Sequence, residues 1–480
     1  MLCAALALVC ASCGIAYYNL RVHGSLYLQS DDGDLYLSIA RNLLQNGHFI
    51  QTARPIEAFV VPPGLPAMCT LLLFAFGGMS RFIVGAGFAD HAISSAGADM
   101  LGLLGFQYLV YGAAAALMAV TALRLAENGI GATQKGLFAW QKVKTAGDST
   151  DSAPAPIRIP KALPWALAVL MGLAAPAAYL WCSVQIRHPN PGFILTENYV
   201  VCLIALILWL VVKGADPRKI TITAFVLMLF RPACSALFVA ALVWMIVKAC
   251  RGRSSRPPHH KRTYFYDVFV MLAVFAAVLA VNTAINWMET GHAIALEDYG
   301  NLDVYLANNE VAGPNWYHSG KVPEFASPRY NEIAASGLSR YEQNELAGQA
   351  LHEYVTANTG TVLRNAGVRF YRLFSETWGP VWYAFLVCLA AQMLLSGLKW
   401  PRKVYLGVMA VSLSILPAFG LLVARYSAPM LPLFIGVILG TAGWLIAAVA
   451  TRAKSEVAKA EDDASTGSAS VTPTENSIAN

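Results

Sequence analysis

The chain has 480 residues, of which 57% are hydrophobic and 13% charged, and it carries a formal charge of +6. Soluble domains run nearer ~45–50% apolar and about 25% charged, so the composition excludes an ordinary globular enzyme, a disordered chain and a coiled coil. The positive balance does not imply nucleic acid, because Lys and Arg are spread loop by loop and form no binding face. The class that remains is an all-α polytopic membrane protein, with apolar runs able to cross ~30 Å of hydrocarbon.

The first run, 2–19, has no basic region before it, so it reads as a first membrane span and not as a cleaved signal, with room for a start further upstream. A polar segment, 20–100, follows. Within it Ser30-Asp31-Asp32-Gly33-Asp34 precedes apolar residues at 35, 36, 39, 40, 43 and 44, the spacing of an amphipathic helix that Asn46-Gly47 would end. The stretch 62–78, opening Pro62-Pro63-Gly64-Leu65-Pro66, reads as a helix on or dipping into the outer leaflet. Counting it as a span would move the basic 124–162 loop to the wrong side.

Further runs lie at 101–123, 163–184, 195–212, 220–248, 266–286, 379–398, 404–423 and 428–449. Basic residues cluster after 123, 212, 248, 398 and 451, which the positive-inside rule assigns to the cytoplasm. Because both flanks of 220–248 are basic, that run must enter and leave on one side. It therefore reads as a hairpin of two short helices with Arg231-Pro232 at its tip, where proline breaks one helix and starts the next. The expected architecture is about ten spans forming one unit over 1–450. Both termini are cytoplasmic, and the two large outward segments, 20–100 and 287–378, are partly helical. Residues 146–157 read as a flexible cytoplasmic loop and 451–480 as a disordered tail. No internal repeat is visible, unlike transporters built from inverted halves.

The nine cysteines form neither a disulfide framework nor a zinc pattern, and none falls in 287–378. Cys10-Ala-Ser-Cys13 reads as small residues packing inside a membrane helix. In 287–378, Ser339 and Glu342 fit a capping box ahead of an apolar face of Leu346, Ala350, Leu351, Tyr354 and Val355. Arg364, Arg369 and Arg372 suit phospholipid headgroups. Trp287, Trp316, Tyr317 and His318 suit either a sugar subsite or the membrane interface.

The unusual polar residues lie on the outward side. One or two of Asp31, Asp32 and Asp34 suffice to cap a helix, so the third suggests catalysis or a cation site. Glu197 starts a span just after His188-Pro189-Asn190-Pro191, Arg231 occupies the hairpin tip, and Arg425-Tyr426 opens the last span. Each has an ordinary interfacial reading, as dipole partner or anchor. Together they set carboxylates beside arginines, which suits a base that activates a hydroxyl and cations that receive a phosphate leaving group.

These residues also carry a family resemblance. The run Asp32-x-x-x-Tyr36-x-x-x-Ala40-x-x-Leu43-x-x-x-Gly47, then Pro62-Pro63, Thr196-Glu197, Arg231-Pro232, Tyr299-Gly300-Asn301-Leu302, Asn308-Asn309 and Arg425-Tyr426, in that order, resembles the GT-C superfamily of membrane glycosyltransferases. The likeness is to the bacterial branch related to protein O-mannosyltransferases and the lipid A aminoarabinose transferase. It departs at Gly33, where that branch often has an acid, and at Ala307, where it has a glycine.

The resemblance implies inverting transfer of a sugar from a polyprenyl-phosphate donor to a glycolipid, polysaccharide or protein hydroxyl on the outer face of a bacterial inner membrane. Asp32, or else Asp31 or Asp34, would be the general base. Arg231 and Arg425 would hold the departing phosphate, and Glu197 would orient the sugar or a cationic partner. Tyr36, Tyr426, His188, Asn308 and Asn309 complete the expected substrate-binding set. No cofactor is expected; magnesium or manganese at Asp32-Gly33-Asp34 is the less favoured option. The competing classes are a flippase or transporter of a lipid-linked sugar and a polymerase or ligase with a diphosphate donor.

Overall fold

A computed structural model describes residues 1–50, 60–85, 100–145, 162–251, 259–315 and 322–468. Among them the chain is helical throughout and has no β-strand. The expected flexible loop 146–157 and the aromatic trio Trp316, Tyr317 and His318 lie outside the described residues.

The bundle core forms from α1 (Leu2–His23), α4 (Leu101–Thr145), α5 (Leu163–Ile186), α6 (Thr196–Lys213) and α17 (Leu431–Ser468), with α4 packed along the other four. On α1 the buried residues are Cys3, Ala7, Ala11, Ile15 and Asn19, one every four positions, so a narrow face of mostly small side chains lets its backbone approach α4 and α5. A Cβ on Gly112 of α4 would stand 2.7 Å from the Leu8 carbonyl oxygen of α1. Cys10 and Cys13 lie on the exposed side of α1, so the packing role expected of that pair belongs to Cys3, Ala7 and Ala11.

Among the described residues, seven helical segments are long and apolar enough to cross a bilayer: Leu2–His23, Leu101–Ala132, Leu163–Ile186, Thr196–Lys213, Tyr266–Thr290, Trp400–Phe419 and Ala424–Thr451. The chain is a membrane protein. An eighth candidate is the pair Thr359–Glu376 and Pro380–Leu395, bent by 97° at its break. The remaining two of the expected ten correspond to α7 (Pro217–Phe230) and α8 (Ser235–Arg251), each short of a full span, which pack on each other with the break at Arg231-Pro232. Proline at 232 cannot donate to the preceding turn, and a 3₁₀ turn over Pro232–Cys234 carries the chain into α8.

The polar segments also fold. They supply α2 (Asp31–Asn46) and α3 (Gly64–Gly85), then, after α9 (His259–Thr290), α10 (Gly300–Ala307), α11 (Val322–Phe325), α12 (Pro328–Ala334), α13 (Arg340–Ala357) and α14 (Thr359–Tyr371). The capping box at the head of α13 is present, with Ser339 accepting from the Glu342 N–H and Glu342 from the Ser339 N–H. The buried face of α13 is Gln343, Ala347 and Ala350, turned one position from the expected stripe and leaving Leu346 exposed, because the small residues face α10. The two polar segments meet. The Asp298 N–H donates to the Val60 carbonyl and the Val60 N–H donates to the Asp298 carboxyl, while Glu289 accepts from the Phe49 N–H and lies 3.1 Å from His48.

The last long helices are α15 (Pro380–Leu395), α16 (Trp400–Phe419) and α17. Composition predicts a disordered tail after Arg452, yet α17 runs to Ser468, since Ala, Glu and Lys there are strong helix formers. Residues 469–480 lie outside the description.

The described basic flanks of the predicted cytoplasmic loops at 213–219, 248 and 399–403 gather at one end of the bundle. The Arg402 guanidinium lies against Gly214, Arg218 pairs with Asp267 at 2.6 Å, and Lys248 approaches Asp216 at 3.7 Å. Glu197 and Lys213 sit at opposite ends of the 18-residue α6, about 24 Å apart at 1.5 Å per residue. The polar residues predicted to face outward therefore occupy the other end.

Candidate functional site

At that other end a cavity of about 580 Å³ opens among α2, the start of α6, the α7–α8 tip, the 297–304 stretch and the turn before α17. Each charged side chain reaches it for a local reason.

The Ser30 hydroxyl caps α2, accepting from the Gly33 N–H at 3.1 Å. Gly33 packs on the next segment, where a Cβ would stand 3.2 Å from the Ile194 carbonyl oxygen and 2.8 Å from Ser30 Oγ. No acidic side chain fits there, which accounts for the glycine at this point of departure from the resembled pattern. The close approach also brings the first turn of α2 to the head of α6.

The three aspartates then separate. Asp32 lines the cavity. Asp34 faces elsewhere, accepting from the Tyr27 hydroxyl at 3.1 Å and from Gln29 Nε2 at 2.9 Å, and Asp31 is exposed and outside the lining.

Glu197, in the first turn of α6, is 4% exposed. Two guanidiniums from distant parts of the chain flank it. Arg231 Nη1 lies 3.6 Å and Arg425 Nε 3.9 Å from the same carboxyl oxygen, while Arg425 Nη1 donates to Asp32 at 2.9 Å. The sequence Asp32–Arg425–Glu197–Arg231 is thus an alternating row of charges. Tyr426 lies under both cations, with its ring centroid 5.1 Å from Arg231 and 5.7 Å from Arg425. Tyr36 completes the wall, and burial beside two carboxylates holds its phenol well above the usual range.

His188 lies behind the lining. Its ring sits 5.5 Å from Phe193, its buried Nδ1 has no hydrogen-bond partner, and burial lowers its pKa despite the Glu197 charge, which favours the neutral imidazole. Asn308 and Asn309 also fall outside the cavity wall. Asn308 donates to the Phe419 and Val304 carbonyls, and Asn309 donates to Phe325 and accepts from the Val311 and Ala312 N–H groups. They brace the loop after α10, and their amides are consumed in doing so.

Arg369 serves the same brace. It is 1% exposed, donates to Asn308 Oδ1 at 3.0 Å, and also reaches the Ala307 carbonyl. The expectation that it meets lipid headgroups is therefore corrected: its planar set of donors satisfies converging carbonyls inside the protein.

Sequence reasoning missed Glu297, Asp303 and Arg340, which all line the cavity. Asn286 and Asn282 of α9 tether the backbone at Ile294 and Ala295, and Asp298 ties the loop to Val60, so Glu297 is held facing inward against Gly300. Loss of hydration, with the Asp303 charge second, pushes Glu297 up to about 7. Asp303 has its surface open to the cavity; the enclosing walls and the Asp32 charge push it up to about 6. Arg340 starts α13, whose Asn344 accepts from the Asn301 and Leu302 N–H groups and fixes α10. Charge patterning could not single these residues out, because charges are common in a long polar segment.

Among the described residues no three His, Cys, Asp or Glu side chains are grouped so as to hold a metal ion. Compared with known families, curated proteins and solved structures, the chain matches none. Any functional reading therefore rests on the chemistry of this cavity. Four carboxyls and three guanidiniums line it, with tyrosines between, and such a set can hold an anion, take a proton from a hydroxyl and grip a hydroxyl-rich ligand.

Proposed function

We propose that this chain is a GT-C-type membrane glycosyltransferase. It moves a sugar from a polyprenyl-phosphate donor to an acceptor hydroxyl on the outer face of the membrane, with inversion at the anomeric carbon. The observation that carries the reading is Arg425, which bonds Asp32 on one side and approaches Glu197 on the other, with Arg231 beyond. A base and two anion-binding groups thus share one cavity, at the bundle end opposite the basic loops.

Asp32 removes the proton from the acceptor hydroxyl as that oxygen attacks the anomeric carbon. The bond from that carbon to the phosphate oxygen breaks, and its electron pair leaves with the lipid phosphate. Arg231 and Arg425 match the charge that grows on the phosphate, and this lowers the barrier because the groups are already aligned. Without donor, Arg425 is bonded to Asp32. A phosphate that draws on the same guanidinium loosens that bond and frees the carboxylate to act as base. Glu197 keeps the two arginines apart and aimed into the cavity, while Tyr426 carries both cations on its ring and Tyr36 lines the wall beside them.

The test is a radiolabelled polyprenyl-phosphate hexose supplied to membranes that contain the wild type or Asp32→Asn. The variant is expected to keep donor binding and lose transfer. Unchanged transfer removes Asp32 as base, and movement of the label across the bilayer without transfer replaces the reading with a flippase.

A further inference from the structure

The row Asp32–Arg425–Glu197 needs a fixed separation between the head of α2 and the head of α6, since one planar guanidinium reaches both carboxylates, at 2.9 and 3.9 Å. The turn between α5 and α6 lies against both heads, and its Asn190 side chain is buried and bonded through both ends of its amide. Asn190 Oδ1 accepts from the Gly192 N–H at 2.9 Å and from Asn19 Nδ2 at 2.8 Å, while Asn190 Nδ2 donates back to Asn19 Oδ1 at 2.9 Å. Asn19, near the C-terminal end of α1, is itself fully buried and donates to the Tyr108 hydroxyl of α4 at 2.8 Å.

We infer that Asn190 is a positioning residue that sets the separation of Asp32 and Glu197, and so the reach demanded of Arg425. This rests on the transferase reading above. The turn that Asn190 shapes holds each head directly. The Gly192 carbonyl accepts from the Leu28 N–H at 2.8 Å, just ahead of the Ser30 cap, and the Ile194 carbonyl lies against Gly33. On the other side Asn198, next to Glu197, donates to the Asn190 and Phe193 carbonyls, each at 3.2 Å.

Two features separate this clasp from ordinary packing. Buried amides are costly unless their bonds are met, and α1 needs none to lie on α4, where small residues already make a close seam. The turn also fits in one place only. A Cβ on Gly192 would stand 2.8 Å from Leu28 Cγ and 3.0 Å from both Asn19 Nδ2 and the Leu26 carbonyl oxygen. A shift of about 1 Å in such a support can cost about a hundredfold in rate, although no reacting atom is touched.

The probe is radiolabelled polyprenyl-phosphate hexose in the same membranes, with transfer expressed per donor-binding site so that unfolded protein does not count. Asn190→Ala should lower kcat about tenfold or more and change KM for the donor less than about threefold, because Arg231 and Arg425 stay in the cavity. Asn190→Ser, whose hydroxyl can still accept from the Gly192 N–H, should regain part of the lost kcat. Tyr111→Phe removes a buried hydrogen bond to Ser183 and lines no part of the cavity, so it should lower the unfolding temperature and leave kcat unchanged. Hydrogen exchange gives a reading free of the assay: the Leu28 amide should exchange faster in Asn190→Ala, and unchanged exchange there overturns the clasp. If Asp32→Asn abolishes transfer while Asn190→Ala keeps the wild-type kcat, or loses no more of it than Tyr111→Phe, the positioning role is wrong and the transferase stands. If Asp32→Asn transfers normally, the transferase reading falls and takes the positioning role with it.

Discussion

Arg425 is the residue on which the cavity turns, since it serves two carboxylates at once through different nitrogens. A lysine offers one compact charge and cannot span both contacts. Arg425→Lys should therefore weaken donor binding roughly tenfold, seen as a raised KM in the transfer assay. Glu297 predicts an effect on stability. Its folded pKa is raised from 4.5 to about 7, so its contribution is full below 4.5 and is lost as pH rises through about 7. Thermal unfolding in detergent should show up to about 3 kcal/mol less stability above that range than below it, and Glu297→Gln should flatten the difference. Asp32, Glu197, Arg231 and Arg425 were legible in the sequence because a charge at a span mouth is costly and so conspicuous. Glu297, Asp303 and Arg369 were not, since nothing in a polar stretch of 92 residues (287–378) marks which charge the fold will turn inward.

At the scale of elements, hydrophobic runs marked the membrane helices, and proline with arginine marked the hairpin, whose break falls at the expected position. Which face each helix buries was less legible. In lipid the apolar surface is not the one that packs, so Cys3, Ala7 and Ala11 face α4 and α5 while larger side chains such as Val9 and Tyr17 face outward. The seam gives a prediction. Gly112→Ala would place its methyl 2.2 Å from Ser12 Oγ and 2.7 Å from the Leu8 carbonyl oxygen, and the backbone of α1 cannot give way as a side chain would. A loss of about 1–3 kcal/mol is expected, read as a lower unfolding temperature, with Gly105→Ala on the same helix, where nothing lies within 4 Å, close to neutral. The length of α17 past Arg452 was hidden by a composition rich in Ala, Ser and acids, which suits a disordered tail and a solvated helix alike.

For the whole molecule, the basic loops and the charged cavity lie at opposite ends of the bundle, and the two polar segments are stitched together by Val60–Asp298 and His48–Glu289. That stitching lets residues nearly four hundred positions apart, Asp32 and Arg425, share one site. The central claim is that Asp32, and not its neighbours, is the base of a sugar transfer from a lipid phosphate. The direct measurement compares Asp32→Asn with Asp34→Asn, each scored for binding and for transfer of a radiolabelled polyprenyl-phosphate hexose in the same membranes. Asp32→Asn should bind and not transfer, and Asp34→Asn, whose carboxyl is held by Tyr27 and Gln29 away from the cavity, should do both. Transfer that survives in Asp32→Asn and disappears in Asp34→Asn would contradict the account.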